Sequence, residues 1–186
     1  GSGVEKSQKQ ALKYYLLGSN SGDANAMAAA SAMYRMGMGT EIKPSLARKW
    51  ATESANKSNP LGTLQLSIIE FTGVDGAPDF ARFFELSLKA AASKQPIALA
   101  NLGYAYESGI GTEPDIKKAV VYYKEAAEQK IPFALMALAR INETGAAGTV
   151  NREEAARLYA AAAGLGVPGA KTKEMLARRQ LEQNTK

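Results

Sequence analysis

Apolar residues return along this chain at two nested spacings. Over short stretches they recur every three to four positions, as Leu99, Leu102, Ala105 and Tyr106 do, which is the period of a helix with one buried face. Over longer distances the pattern repeats every 36 residues. Ala11, Ala47, Ala119 and Ala155 fall on one such grid, with Phe83 at the remaining beat. Trp50, Leu86, Tyr122 and Leu158 share a bulky position, and Pro60, Pro96, Pro132 and Pro168 share another. The pairs Ser54-Ala55, Ala90-Ala91, Ala126-Ala127 and Ala162-Ala163 keep the same beat. Self-similarity at a period of this length marks a stacked array of supersecondary units, each covering its neighbour's apolar face.

The stretch PIALANLGYAYESGIGTEPDIKKAVVYYKEAAEQKI, residues 96–131, shows the unit most clearly. Pro96 suits a first helical turn, where no N–H donor is required. Gly109 and Gly111 end the first helix, because glycine tolerates the left-handed conformation of a helix stop. Asp115 offers an N-cap to the second helix, as do Asp79 and Asn151 on the same grid. Asn151 with Glu154 three residues on reads as a capping box. Ala119, Tyr122, Tyr123 and Ala126-Ala127 make the packing face, with Tyr106 and Leu102 expected in the core. Gly103, with Ser31, Ser67 and Ala139 at its grid positions, marks a close approach of two helices.

The spacing predicts an all-α chain: an opening helix near 4–18, helix pairs near 24–36/44–57, 60–72/79–94, 96–108/115–130 and 132–144/151–164, and a closing helix near 168–183. The repeats run 24–59, 60–95, 96–131 and 132–167, in one domain of four to five units with terminal capping helices. The polar closing helix, with Lys171, Lys173, Glu174, Arg178 and Arg179, suits a cap facing water.

Composition narrows the chemistry. The 186 residues include no Cys and no His. Disulfides, thiol catalysis and cysteine metal sites are excluded, and the commonest general base and metal ligand are missing. No cofactor and no metal is expected. The net charge of +5 reads first as scattered surface solvation, with attraction to an acidic partner or an anionic surface as the functional alternative, and no Lys/Arg run of the nucleic-acid type appears. No apolar run approaches the ~20 residues of a membrane span. No signal peptide is present in the sequence, but Gly1-Ser2 reads as a cloning remnant, which leaves room for a native N-terminal segment removed with it. Gly37-Met38-Gly39 and Gly109-Ile110-Gly111 lack the preceding strand and following lysine of a phosphate loop, and read as turns.

The run A-L-A-N-L-G-Y-A-Y-E-S-G-I-G-T-E-P-D-I-K-K-A-V-V-Y-Y-K-E-A-A resembles a Sel1-like repeat, a relative of the tetratricopeptide repeat. The resemblance extends over nearly all of 11–170, with the second unit the most divergent. It implies a right-handed α-α solenoid whose first helices line a concave side, and adaptor work rather than catalysis. It also implies a protein partner. Bacterial members of the family include envelope and virulence-related proteins, and immunity proteins that neutralise secreted toxins such as phospholipase effectors. A periplasmic or envelope protein that is monomeric when free, and that occludes a toxin, is therefore the sharpest expectation. The alternatives are a general scaffold for envelope assembly or virulence, a cytoplasmic location, and a cell-wall-binding protein or hydrolase.

By analogy with tetratricopeptide units, the groove positions are Arg35 in the first repeat; Leu61, Leu64, Ile68 and Phe71 in the second; Ile97, Tyr104 and Glu107 in the third; and Phe133, Met136, Arg140 and Glu143 in the fourth. Exposed together, the apolar members form a patch that calls for a partner, with Arg35 and Arg140 beside it as hot-spot composition. The other reading is that superhelical curvature buries them against the next unit. Glu70, Glu107 and Glu143 recur near first-helix ends. A hydrolase would need two of them close together, one in an apolar pocket.

Overall fold

The computed structural model describes residues 2–184, with side chains described for 7–183. Ten α-helices and no strand occur among them. They are α1 (Ser2–Asn20), α2 (Ala24–Met36), α3 (Pro44–Asn56), α4 (Pro60–Thr72), α5 (Phe80–Ala91), α6 (Pro96–Ser108), α7 (Ile116–Glu128), α8 (Pro132–Thr144), α9 (Arg152–Gly164) and α10 (Ala170–Asn184). Each helix packs mainly on its sequence neighbour, which is the α-α solenoid arrangement expected. Two compact units divide the chain, Gly1–Gln95 with α1–α5 and Pro96–Lys186 with α6–α10.

The helix ends follow local chemistry. Asp23, Asn59, Asp79, Asp115 and Asn151 accept from amides of the following turn through their side chains. The Lys118 amide, foremost, holds the Asp115 carboxyl below the usual carboxylate range. Gly37, Gly73 and Gly145 close α2, α4 and α8 in the left-handed conformation. The capping box at Asn151 forms by half. Asn151 accepts from the Glu154 amide at 3.0 Å, but the Glu154 carboxylate is held by Arg157 at 2.6 and 2.7 Å. The Asn151 amide is already engaged, donating to the Asn142 carbonyl at 2.8 Å. Lys43 to Tyr34, Asp79 to Glu70 and Asp115 to Tyr106 repeat that backbone bond at 2.9, 2.9 and 2.7 Å. A cap amide tied to the preceding helix has no need of a glutamate.

Between repeats the chain turns through a left-handed residue, Ser58, Lys94 and Lys130 at φ 57, 56 and 59°, and Gly166 at 77°. A side chain there costs ~1–2 kcal/mol, while glycine costs ~0.5–1 kcal/mol through the unfolded chain. Lys130→Gly is therefore expected to raise unfolding free energy by ~0.5–1 kcal/mol, read by urea denaturation. A loss would mean that the Lys130 stem contributes packing of its own.

In the first unit the core gathers Leu12, Met33, Tyr34, Ala47, Ala51, Leu66, Ile69 and Leu86. In the second, Leu99, Leu102, Ala119, Tyr123, Leu138, Ile141 and Tyr159 are buried. Tyr106, expected in this core, is half-buried. It stacks on Tyr122 with ring centroids 5.7 Å apart. The fully buried tyrosine of this repeat is Tyr123, which lies against Gly103, where a Cβ would stand 2.4 Å from the ring.

Candidate functional site

In the unit Pro96–Lys186 the two first helices, α6 and α8, border a groove of about 520 Å³. Five expected residues line it together: Tyr104 and Glu107 from α6, and Phe133, Met136 and Arg140 from α8. Ala137 and Tyr159 also line it, with Lys173 from α10. The Phe133 ring meets Tyr104 and Tyr123 edge-on, with centroids 5.9 Å away in both cases, and stays 51 % exposed. Ile97 is exposed on the same helix as Tyr104.

Of the two carboxylates expected here, Glu107 lines the groove and Glu143 does not, and each holds a tyrosine hydroxyl. Glu107 accepts from the Tyr123 hydroxyl at 2.9 Å through one oxygen and from Arg140 through the other. Glu143 accepts from the Tyr159 hydroxyl at 2.8 Å, one repeat further on. Burial, and then the neighbouring glutamate, pushes both phenols well above the usual tyrosine range. Acid–base chemistry needs a carboxyl free to pass a proton to a substrate. Both Glu107 oxygens already accept protein donors, and no metal-binding group of acidic residues occurs among the described residues. What the arrangement offers is an apolar, aromatic trough edged by Arg140 and Lys173.

The unit Gly1–Gln95 treats its expected residues differently. Leu61 is exposed and Ile68 half-buried, but Leu64 is a core residue at 3 % exposure. Helices α2 and α4 pack directly on each other here, a closer approach than α6 and α8 make, which leaves less open groove between first helices. Phe71 lies with its ring centroid 5.0 Å from the buried Phe83 and 6.1 Å from Phe80. This repeat has exchanged the Glu–Tyr pair for apolar packing, since Phe71 and Ser87 stand on the grid where Glu107 and Tyr123 stand later. Arg35 reaches Gln65 at 3.5 Å, and burial lowers its pKa.

Glu70 is held by an arginine of the preceding helix α3. Arg48 binds it at 2.6 and 3.1 Å and also pairs with Asp75. The guanidinium, foremost, holds the Asp75 carboxyl below its ordinary range. A depressed carboxylate adds stability that is present above the unfolded pKa of ~4 and lost as pH falls through the folded value. Arg48→Ala is therefore expected to melt below the parent at neutral pH, with the gap closing on acidification below about pH 4. Thermal melts across a pH series read this, and a gap that widened in acid would contradict it.

A second cleft in Pro96–Lys186, about 690 Å³, lies along the second helices α7 and α9. Buried Leu135, Leu138 and Leu158 line it, with charged Lys124, Glu128 and Arg157 around them. Attention to first helices missed it. The readable signal was Ala161, small at a grid position that holds Glu53, Lys89 and Glu125 in other repeats.

The Sel1 repeat family model matches residues 1–23, 24–59, 96–130 and 132–167. The stretch 60–95 lies between these matches and still forms the helix pair α4 and α5. No curated protein sequence matches significantly. Among solved structures, the chain is similar to a protective antigen of uropathogenic Escherichia coli with an SLR fold, at 26% identity and TM-score 0.79. That match covers 91% of this chain and 37% of the antigen. A Sel1 repeat protein from Oxalobacter formigenes matches at 23% identity and TM-score 0.77, over 87% of this chain and 64% of its own. One from Klebsiella pneumoniae subsp. pneumoniae matches at 18% identity and TM-score 0.69, over 92% and 81%. The chain thus spans less than two-thirds of the length of the first two.

Proposed function

This chain belongs to the Sel1 repeat family of protein-interaction scaffolds, and from that premise we propose that the α6–α8 groove grips a segment of a partner protein. The observation that carries the reading is Phe133, half in solvent between Tyr104 and Met136, beside Arg140. Aromatic anchors next to arginine are the composition in which interfaces concentrate their binding energy. The net charge of +5 favours a partner with acidic residues near its apolar contact.

The finer proposal is an envelope protein, periplasmic in location, that neutralises a secreted toxin by covering its active site. Such work requires shape and apolar contact but no catalytic residue. What supports it is membership of a repeat family that includes bacterial immunity proteins. A second reading, an adaptor for envelope assembly, is favoured by one feature: the separate α7–α9 cleft would let one unit hold two partners.

A photo-crosslinking side chain at Met136 tests the groove, with the same group at Ala161 as the comparison. Irradiation with the native partner mixture is expected to yield a specific adduct from Met136. An adduct from Ala161 alone would move the site to the second helices and sink the groove assignment.

A further inference from the structure

The fourth repeat lacks a pair of rings that the third repeat has. In residues 96–131, Tyr106 stacks on Tyr122 with planes 4° apart, and the Lys118 ammonium lies 5.1 Å from the Tyr106 centroid. One period on, the two tyrosines become Asn142 and Leu158, and Glu125 becomes Ala161. All three replacements are smaller, and all three line the α7–α9 cleft of about 690 Å³. That volume lies in the range of small-molecule sites. The floor is apolar, formed by buried Leu135, Leu138 and Leu158. Half-exposed Leu165 extends it, at a grid position that holds Lys57, Ser93 and Gln129 elsewhere.

The charges around this floor are unequally committed. Arg157 is tied to Glu154 at 2.6 and 2.7 Å. Lys124 lies near the same carboxylate: Arg157, foremost, and then Lys124 hold Glu154 below the usual carboxylate range. Among the described residues, neither Lys124 nor Lys130 has an ion pair or a side-chain hydrogen bond, and both line the cleft. Glu128 is the carboxylate left to face them. The spare charge at the cleft is therefore positive.

We propose that the α7–α9 cleft binds a small aromatic acid, its flat ring over Leu138 and Leu158 where the third repeat keeps its own rings, and its carboxylate or sulfonate toward Lys124. Glu154 stands at the grid position of Lys118 and holds Arg157, so the bound ring would again meet a cation. An acyl chain would cover the same leucines but would set apolar carbons against Arg157 and Asn142, whose polar groups it cannot satisfy. This inference is independent of the α6–α8 groove, and it gives the cleft a ligand in place of an adaptor's second partner.

Titration calorimetry and NMR of the whole chain with 2-naphthoate test this. The probe is expected to bind once per chain and to shift the signals of Asn142, Leu158 and Ala161. Asn142→Tyr combined with Leu158→Tyr restores the rings of the third repeat. It should weaken binding roughly tenfold or more, because ligand and new side chains compete for one space. Ala161→Glu, at an exposed position that carries Glu125 one repeat earlier, should do the same and serves if the double variant does not fold. Lys124→Ala should cost about two- to fivefold, as loss of an exposed ion pair does. Absence of binding, or full affinity in a folded variant with the cleft filled, would overturn the proposal. So would shifts at Tyr104 and Phe133 in place of the cleft residues. Tighter binding of dodecanoate would make the occupant an acyl chain, and equal binding of neutral 2-naphthalenemethanol would remove the acid. A protein adduct from the crosslinker at Ala161 that saturating 2-naphthoate does not suppress would give the cleft to a protein. Each of these also overturns it.

Discussion

Leu102→Ala is expected to cost ~2–5 kcal/mol of unfolding free energy, the range for truncating a fully buried leucine. Leu102 is 0 % exposed on α6. Its neighbour Gly103 lies so close to Tyr123 that the helices have little freedom to close over a void. The transfer and cavity penalties should therefore add with little relaxation. For a chain of this size such a loss lowers the melting temperature by roughly 5–15 °C. The change should affect α7 and α8 as well, because each hairpin supports the next. Tyr106→Ala should cost less, since Tyr106 is half-buried and rests on Tyr122 through one face. Parallel melts of the two variants decide the register: equal losses, or an unchanged Leu102→Ala midpoint, would contradict it.

Phe133→Glu is expected to weaken partner binding at least thirtyfold, which corresponds to ~2 kcal/mol and is the usual threshold for an interface anchor. The fold should tolerate the change. Phe133 is half in solvent, and its edge contacts with Tyr104 and Tyr123 contribute ~0.5–1.5 kcal/mol each at most. Phe71 is the poorer probe, because its ring packs on buried Phe83 and a charge there attacks the core first. Arg140→Ala also mixes effects, since Arg140 pairs with Glu107, the acceptor of the Tyr123 hydroxyl. Calorimetry with the captured partner and a thermal melt of Phe133→Glu separate the cases. A folded variant with full affinity would mean the partner sits elsewhere, with the α7–α9 cleft next in line.

The helices were legible because each element carried its own signals. The 36-residue beat supplied the number of hairpins, and prolines, cap residues and glycines supplied their ends. Where the reading ran long, as at 79–94 against Phe80–Ala91, the helix stops before a left-handed lysine that propensity does not announce. The groove was half legible. Tyr104, Phe133, Met136 and Arg140 converge as their helical positions required. Leu64 and Tyr106 were misplaced because a grid records position but not how closely two helices approach. The Tyr123–Glu107 bond was within reach of the sequence, since Glu and Tyr recur sixteen residues apart at 107/123 and 143/159. Its recognition required weighing a polar coincidence as heavily as an apolar one.

The four backbone bonds from each second helix's cap amide to the preceding helix explain how so uneven a sequence holds one geometry. Their donors are Lys43, Asp79, Asp115 and Asn151, and their acceptors Tyr34, Glu70, Tyr106 and Asn142. No side chain is common to all four donors or to all four acceptors, and none needs to be, because the link uses only main-chain atoms. Duplicated copies can therefore diverge at every one of these positions without losing the hinge angle of the hairpin. Proline, which has no N–H to donate, is the substitution that drift cannot absorb at the donor sites. Geometry is inherited through the main chain, and the side chains are left to be reshaped by whatever each copy came to hold.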